Sequence, residues 1–247
     1  MERVGDVAAG VEEAIEAAAE GVRAKLGVGL DADMLRRELQ STYAALAARL
    51  SISPELARRL AGIAGYMHDV GKAIGAYQRR IPGDECGCRG VSLAGHEVWS
   101  GWVAYFAVRE SPSLGGELAE RVARVVAAAV TLHHSARRSI DDVLLDAVDV
   151  RPTLDDVDLM FQLARAGLER HGLLYSQSAR AAARYHLLRF RDVAALREVL
   201  LSADPAPAEL LVNVIAIADN LDAALGRCDG RTAYVLKPLL ARSSPAV

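Results

Sequence analysis

The segment PELARRLAGIAGYMHDVGK, residues 54–72, carries the strongest structural signal in the chain. Its apolar residues recur at helical spacing, and Pro54 stands where a proline favours the first turn of a helix. Gly71 is a residue before which such a helix naturally ends. The segment therefore predicts a helix that begins at Pro54 and ends with His68 and Asp69 at its C-terminal rim.

Helical spacing of apolar residues continues through most of the chain, and no alternating β-branched run is long enough to predict a sheet. The 247 residues are 52% hydrophobic but only 5% aromatic, which fits helices packed through Ala, Val and Leu. Residues 82–95 are rich in glycine and form the clearest loop. We expect one all-α helical bundle, a single domain over residues 1–247 with a motif-bearing core at about 54–225. Further helices are expected over 11–25, 34–50, 73–81, 96–109, 116–133, 154–172, 176–201 and 206–225.

Composition excludes several classes of protein. A chain with 25% charged residues and a net charge of -3 is neither disordered nor collagen-like, and it gives no global support for nucleic-acid binding. The acidic N-terminal stretch lacks the basic region of a signal peptide, and no apolar run approaches the ~18 residues of a membrane span. We therefore expect a cytoplasmic chain with no membrane partner. Cys86, Cys88 and Cys228 form neither a disulfide framework nor a zinc ribbon, and their role stays open.

The pair His68-Asp69 is the first candidate for chemistry. A helix end places an imidazole and a carboxylate at the rim of a bundle, and this donor pair suits manganese, iron, nickel, cobalt or zinc better than magnesium. Lys72 follows within one turn, where its ammonium can reach a phosphate oxygen bound to such a metal. The alternative is an ordinary helix end with a satisfied histidine and a surface aspartate, because a His-Asp dipeptide alone is weak evidence.

Three further segments place histidine or aspartate next to apolar helical runs. His96 opens a helix after the glycine loop, and the pair His133-His134 closes the next one. Adjacent helical residues point about 100° apart, so both histidines face one site only near a helix end, or else serve two metals. The alternative for this pair is one core histidine and one exposed histidine. Asp219 follows an apolar run, where it is either buried and bound or the start of a polar face.

In chain order, the motifs HDVGKAIGAYQRRI (68–81), GHEVWS (95–100), LHH (132–134) and IADNLDA (217–223) resemble those of the HD superfamily of metal-dependent phosphohydrolases, which is all-helical. Because Tyr77-Gln78 follows the H-D-x-G-K pattern, the chain resembles in particular the HD nuclease of the CRISPR-associated Cas-three family. The sequence has no G-x-x-x-x-G-K-[ST] phosphate loop. It therefore resembles the stand-alone HD subunit (the double-prime form) of type I systems, in which the helicase is a separate polypeptide.

The resemblance implies a metal-dependent nuclease that cleaves mainly single-stranded DNA in CRISPR interference, with a separate helicase subunit and a crRNA-guided complex as partners. It implies one or two divalent metal ions, with Asp69 bridging the two groups of ligands. The implied catalytic residues are Asp69 and Lys72, and the implied ligands are His68, Asp69 and Asp219 for one ion and His96, His133 and His134 for the second. Many relatives carry another histidine upstream, and this chain has none before His68. The number of ions, their identity, the cleavage polarity and the oligomeric state therefore stay open.

Two arginine pairs, Arg79-Arg80 and Arg137-Arg138, each follow a motif closely and form a candidate basic rim for DNA, although such pairs are usually just solvated. Two other functions are compatible with the motifs. One is an HD phosphohydrolase acting on nucleotides or cyclic nucleotides, and the other is a metal-free HD domain retained as an assembly subunit. The His-His pair and the Tyr77-Gln78 segment favour the nuclease.

Overall fold

The computed structural model describes residues 1–26, 29–80, 93–134, 139–188 and 193–226. All regular structure in these ranges is helical, which confirms the predicted all-α fold. A 3₁₀ turn, Val70–Ala73, lies between the fourth and fifth α-helices. The α-helices are α1 (Glu2–Ala8), α2 (Glu12–Leu26), α3 (Ala32–Leu50), α4 (Pro54–Met67), α5 (Gly75–Gln78), α6 (His96–Arg109), α7 (Gly116–Leu132), α8 (Ile140–Asp146), α9 (Leu154–Arg170), α10 (Gln177–Leu188), α11 (Val193–Leu201) and α12 (Pro205–Gly226).

Local side-chain caps set the starts of α3 and α4. The Asp31 carboxylate accepts a hydrogen bond from the backbone N–H of Met34, 2.9 Å away, and the Ser53 hydroxyl accepts one from Leu56. Pro54 follows as the first residue of α4, where a missing N–H costs nothing. The predicted helix from Pro54 to the His-Asp pair is therefore confirmed.

Three parts of the helix pattern differ from the prediction. The helix expected over 73–81 is replaced by the 3₁₀ turn and the short α5, because the turn is drawn against α6 by a hydrogen bond from Gly71 N to Ser100 Oγ, 2.7 Å. The single helix expected over 176–201 is described as α10 and α11, and residues 189–192 lie outside the described ranges. The seven-residue helices α1 and α8 were not predicted, since helices this short depend on tertiary packing.

One hydrophobic cluster runs through the described helices, from Val4 in α1 to Ala224 in α12. Helix α6 lies at its centre and is buried from His96 to Val108. Helices α4, α7 and α12 pack against one another, and α6 packs on both α4 and α7. This arrangement brings the C-terminal ends of α4 and α7, the N-terminal end of α6 and the later half of α12 to one place.

Within the described ranges, no single helix is long and apolar enough to cross a membrane. Segments Ala194–Leu201 and Pro205–Leu225 reach that length and composition only when taken together, and they are bent by 102°.

Candidate metal centre

The histidines and aspartates named by the sequence motifs meet where these helices converge. His68 caps the C-terminus of α4, and Asp69 leads into the 3₁₀ turn. His96 is the first residue of α6, His133 caps α7, and Asp219 lies inside α12. Helix ends thus bring the three histidines and Asp69 together, and Asp219 joins them from within α12.

The donors form two groups that share one carboxylate. Asp69, His96, His133 and His134 each offer an atom within 4.8 Å of the others, and His68, Asp69 and Asp219 do the same. The Oδ1 atom of Asp69 lies 3.0 Å from His96 Nε2, whereas its Oδ2 atom lies 3.3 Å from His68 Nε2. The Asp69 carboxylate therefore faces one group with each oxygen, which is the arrangement a bridging ligand requires.

The main chain orients three of the imidazoles. In each, Nδ1 lies close to the carbonyl oxygen three residues earlier: His68 to Gly65 at 2.7 Å, His96 to Leu93 at 2.7 Å and His133 to Val130 at 2.6 Å. A carbonyl only accepts hydrogen bonds, so each Nδ1 carries a proton, and Nε2 is the nitrogen whose lone pair a metal can take when the ring is neutral. In metal-bound histidines, the ring nitrogen that does not bind the metal typically donates a hydrogen bond to such an acceptor.

Two of these Nε2 atoms are buried and lack a hydrogen-bond partner among the described residues, those of His68 and His133. The Oδ1 atom of Asp219 lies 3.4 Å from His68 Nε2, close enough for an ion pair but not hydrogen-bonded to it. A buried polar atom without a partner costs about 1–3 kcal/mol, so such atoms are rare without a reason. The donor set and its unsatisfied nitrogens fit a divalent cation.

The family described as "Cas3, HD domain" matches residues 30–219. This chain belongs to the Cas3 HD family. Every candidate ligand and Lys72 lie inside the matched residues. The Cas3 HD family is CRISPR-associated and of nuclease type, and the HD domain is a metal-dependent hydrolase domain that binds divalent ions.

Among solved structures, the chain is similar to the CRISPR-associated Cas3 HD domain protein from Methanocaldococcus jannaschii, with 21% identity and a TM-score of 0.47. The match covers 83% of this chain and 93% of that one. No curated protein matches the chain.

The charges around the Cas3 HD site keep its carboxylates ionised. Burial raises the pKa of Asp69, but His68, His96 and Lys72 outweigh it and hold that pKa well below its usual range. Burial also opposes ionisation of Asp219, yet His68 lowers its pKa as well. Burial lowers the pKa of His68, but Asp69 and Asp219 raise it to about 9. A cation between these groups would therefore compete with a proton for the His68 nitrogen.

The pKa values of His133 and His134 are lowered, in contrast to that of His68. Burial lowers the pKa of His133 well below its usual value, and neighbouring His68 and His134 lower it further. Burial and His96 likewise lower the pKa of His134. The two rings lie 3.9 Å apart, with His133 buried and His134 exposed. Both are thus neutral near pH 7, the state in which imidazole binds a metal.

Lys72 lies beside the bridging carboxylate, with its Nζ atom 2.6 Å from Asp69 Oδ2 and 32% of the side chain exposed. Its backbone carbonyl accepts a hydrogen bond from Gln78 Nε2, 2.6 Å away. Arg79 and Arg80 follow on the surface, and the Arg80 guanidinium lies over the Tyr77 ring at 5.5 Å. The other predicted basic pair, Arg137 and Arg138, lies outside the described residues, as do Cys86, Cys88 and Cys228.

Sequence reasoning missed two residues that shape the site. Glu97 is buried, and its Oε2 atom lies 3.3 Å from His96 Nδ1. Its position directly after a candidate ligand was the available signal. Gly71 is the second, because a Cβ atom there would lie 2.1 Å from the carbonyl oxygen of His96. No sequence signal separates this close approach from an ordinary helix stop.

Proposed function

We propose that the chain is a metal-dependent nuclease that cleaves mainly single-stranded DNA in type I CRISPR interference. Its partners in this proposal are a separate helicase subunit and a crRNA-guided complex. The observation that carries the proposal is the Asp69 carboxylate, whose two oxygens face two groups of histidine and aspartate donors. Divalent ions held by these donors would supply Lewis-acid chemistry, namely activation of a water molecule and stabilisation of negative charge on a phosphate and its leaving group.

Each group has its own donors in this proposal. His68 and Asp219 complete one group, and the other is completed by three histidines, His96, His133 and His134. The nitrogen-rich set favours manganese, iron, nickel, cobalt or zinc, and it suits magnesium less well. The exposed ring of His134 lies on the solvent side of its group, so a phosphate would approach from that side.

Lys72 has the role of binding phosphate. Its ammonium already lies at the bridging carboxylate, on a flexible and partly exposed side chain. A small rotation transfers one of its N–H donors from Asp69 to a phosphate oxygen. Arg79 and Arg80 are exposed just beyond α5 and would guide the DNA backbone towards Lys72.

The recessed position of the ligands supports the preference for single strands. His68 and His133 are 1% and 6% exposed, so a phosphate must enter the site to reach them. A single strand bends readily, whereas duplex DNA has a persistence length of about 150 bp and must be deformed or opened first.

The test compares a single-stranded oligonucleotide, its blunt duplex, and nucleotides with cyclic nucleotides, at one manganese and salt concentration. We expect the single strand to be cut at least tenfold faster than the duplex. An Asp69→Asn preparation controls for contaminating nuclease. Equal or faster duplex cutting would refute the strand preference. Hydrolysis of nucleotides alone would favour the phosphohydrolase, and no hydrolysis at all would favour an assembly subunit.

A further inference from the structure

Glu97 is a buried carboxylate that the proposed function does not use. It is the second residue of α6, and it is 5% exposed. Its Oε2 atom accepts a hydrogen bond from the backbone N–H of Gly95, 2.8 Å away, and lies 3.3 Å from His96 Nδ1. Burying a charge is costly unless it is paired, so its place behind a candidate ligand calls for a reason.

We propose that Glu97 is a positioning residue that acts through His96 and balances the charge of a cation held by Asp69, His96, His133 and His134. The inference rests on the proposed function in one respect, namely that this group holds a cation. A carboxylate behind a ligating histidine raises the basicity of its other nitrogen. Glu97 acts through His96, and it reaches neither substrate nor metal itself.

The charges of the two groups differ in a way that Glu97 corrects. One group contains two carboxylates, Asp69 and Asp219, whereas the histidine-rich group has Asp69 alone and must share it. Neutral imidazoles and one shared carboxylate provide less negative charge than a divalent cation needs for neutrality. Glu97 brings a second negative charge to that side only, since its nearest candidate ligand is His96.

Capping of α6 does not by itself explain a carboxylate at this position. The Gly95 N–H needs one acceptor, which the neutral oxygen of a glutamine supplies equally well. The backbone of Gly95, at φ 90°, packs against the end of α8, where a Cβ on Gly95 would lie 2.6 Å from the carbonyl oxygen of Asp146. Because Gly95 is held there, its N–H group also holds the Glu97 carboxylate. The position of the Glu97 side chain is therefore explained by Gly95. What remains to be explained is why this side chain carries a charge next to His96.

The experiment titrates the metal-free chain with Co²⁺ and follows the visible d–d absorption and the heat of binding. Glu97→Gln keeps the acceptor for Gly95 and removes the charge. We expect E97Q to weaken one binding step by 10–100-fold, as loss of such a partner does elsewhere. The other step should stay within threefold of the unaltered chain. Glu117→Gln is the matched control, since Glu117 is an exposed acid in the first turn of α7, and it should change neither step.

Two results would overturn the inference. One is an E97Q titration that agrees with the unaltered chain within threefold at every step. The other is equal weakening of both steps, which indicates general loosening of the fold. If circular dichroism shows that E97Q does not fold, Glu97→Asp replaces it. Because E97D withdraws the charge from His96 by one methylene, we expect it to weaken the same binding step. Unchanged Co²⁺ affinity in E97D would also overturn the inference. An unaltered chain that binds no Co²⁺ would refute the proposed function as well, so the two failures are distinct.

Discussion

Gly71 and His96 approach each other so closely that a Cβ atom on the glycine would lie 2.1 Å from the histidine's carbonyl oxygen. The 3₁₀ turn after Asp69 is thereby held directly against the first turn of α6. This close approach sets the spacing between the bridging carboxylate and the ligand that opens α6.

Replacing Gly71 with alanine should separate these two segments. We expect G71A to lower the free energy of unfolding by about 1–3 kcal/mol, the usual cost of forcing extra atoms into a packed site. Urea unfolding followed by circular dichroism measures this loss. Gly29→Ala is the control, because a Cβ there meets nothing within 4 Å. Equal stability of the two variants would show that the turn moves aside freely.

Metal binding should stabilise the fold as well as support cleavage. We expect EDTA to abolish cleavage, and Mn²⁺ at about 100 times its dissociation constant to raise the free energy of unfolding by about 2.7 kcal/mol. Thermal unfolding with and without Mn²⁺ checks the second statement. Nuclease activity that persists in rigorously metal-free buffer would contradict the first.

Asp69→Ala should eliminate cleavage while the helical fold remains. Its carboxylate contacts His68, His96 and Lys72, so its loss removes charge from both donor groups but little apolar packing. We expect at least a hundredfold loss of single-strand cleavage with an unchanged far-ultraviolet spectrum. Asp141→Ala removes an exposed carboxylate paired with Arg197 and should retain activity. D69A activity within a few-fold of the unaltered chain would remove Asp69 from the site.

Arg79 and Arg80 should contribute to the salt dependence of DNA binding. On a single strand, each phosphate that an arginine neutralises adds about 0.7 to the slope of log affinity against log salt. We therefore expect Arg79→Gln with Arg80→Gln, in the non-cleaving D69A background, to reduce the slope by about 1.4. Fluorescence anisotropy of a labelled oligonucleotide measures it. Arg184→Gln, an exposed arginine of α10, should leave the slope unchanged, and a double variant that behaves like R184Q would refute the basic rim.

His171 should make stability depend on pH. Burial lowers its pKa from an ordinary 6.5 to about 4, with Arg170 and Arg58 adding to the effect. The unfolded chain therefore binds the proton more readily, so stability is complete above about pH 6.5 and falls as the pH drops towards 4. The full contribution is on the order of 3 kcal/mol. Unfolding of His171→Asn across this range should show a smaller pH dependence, and an identical dependence would exclude His171 as the cause.

Much of the fold could be predicted because its signals are local. Ser53, Pro54 and Asp31 act within one turn of the helices they start, and the sequence shows them directly. The candidate histidines and Asp69 were identifiable because their motifs lie at helix ends, and Asp219 because it follows an apolar run. The pair His133-His134 satisfies two expectations at once, since one ring is buried and the other exposed while both belong to one donor group.

Features that depend on tertiary contact could not be read from the chain. Residues Glu97 and Gly71 matter because of what lies across from them in space, and helices α1 and α8 are too short for periodicity to be decisive. His171 is a third residue whose surroundings depend on packing. It caps α9, but it is buried against Gly62 of α4, where a Cβ would lie 2.6 Å from its Nδ1.

The carbonyl groups that hold His68, His96 and His133 belong to the main chain, and every amino acid supplies one. The tautomer of each ring is therefore encoded by the path of the backbone rather than by a neighbouring side chain. No point substitution can delete these acceptors. Substitutions around the centre therefore leave the orientation of the three rings unchanged as long as the helix ends keep their positions. Altering the aim of these rings requires moving a helix.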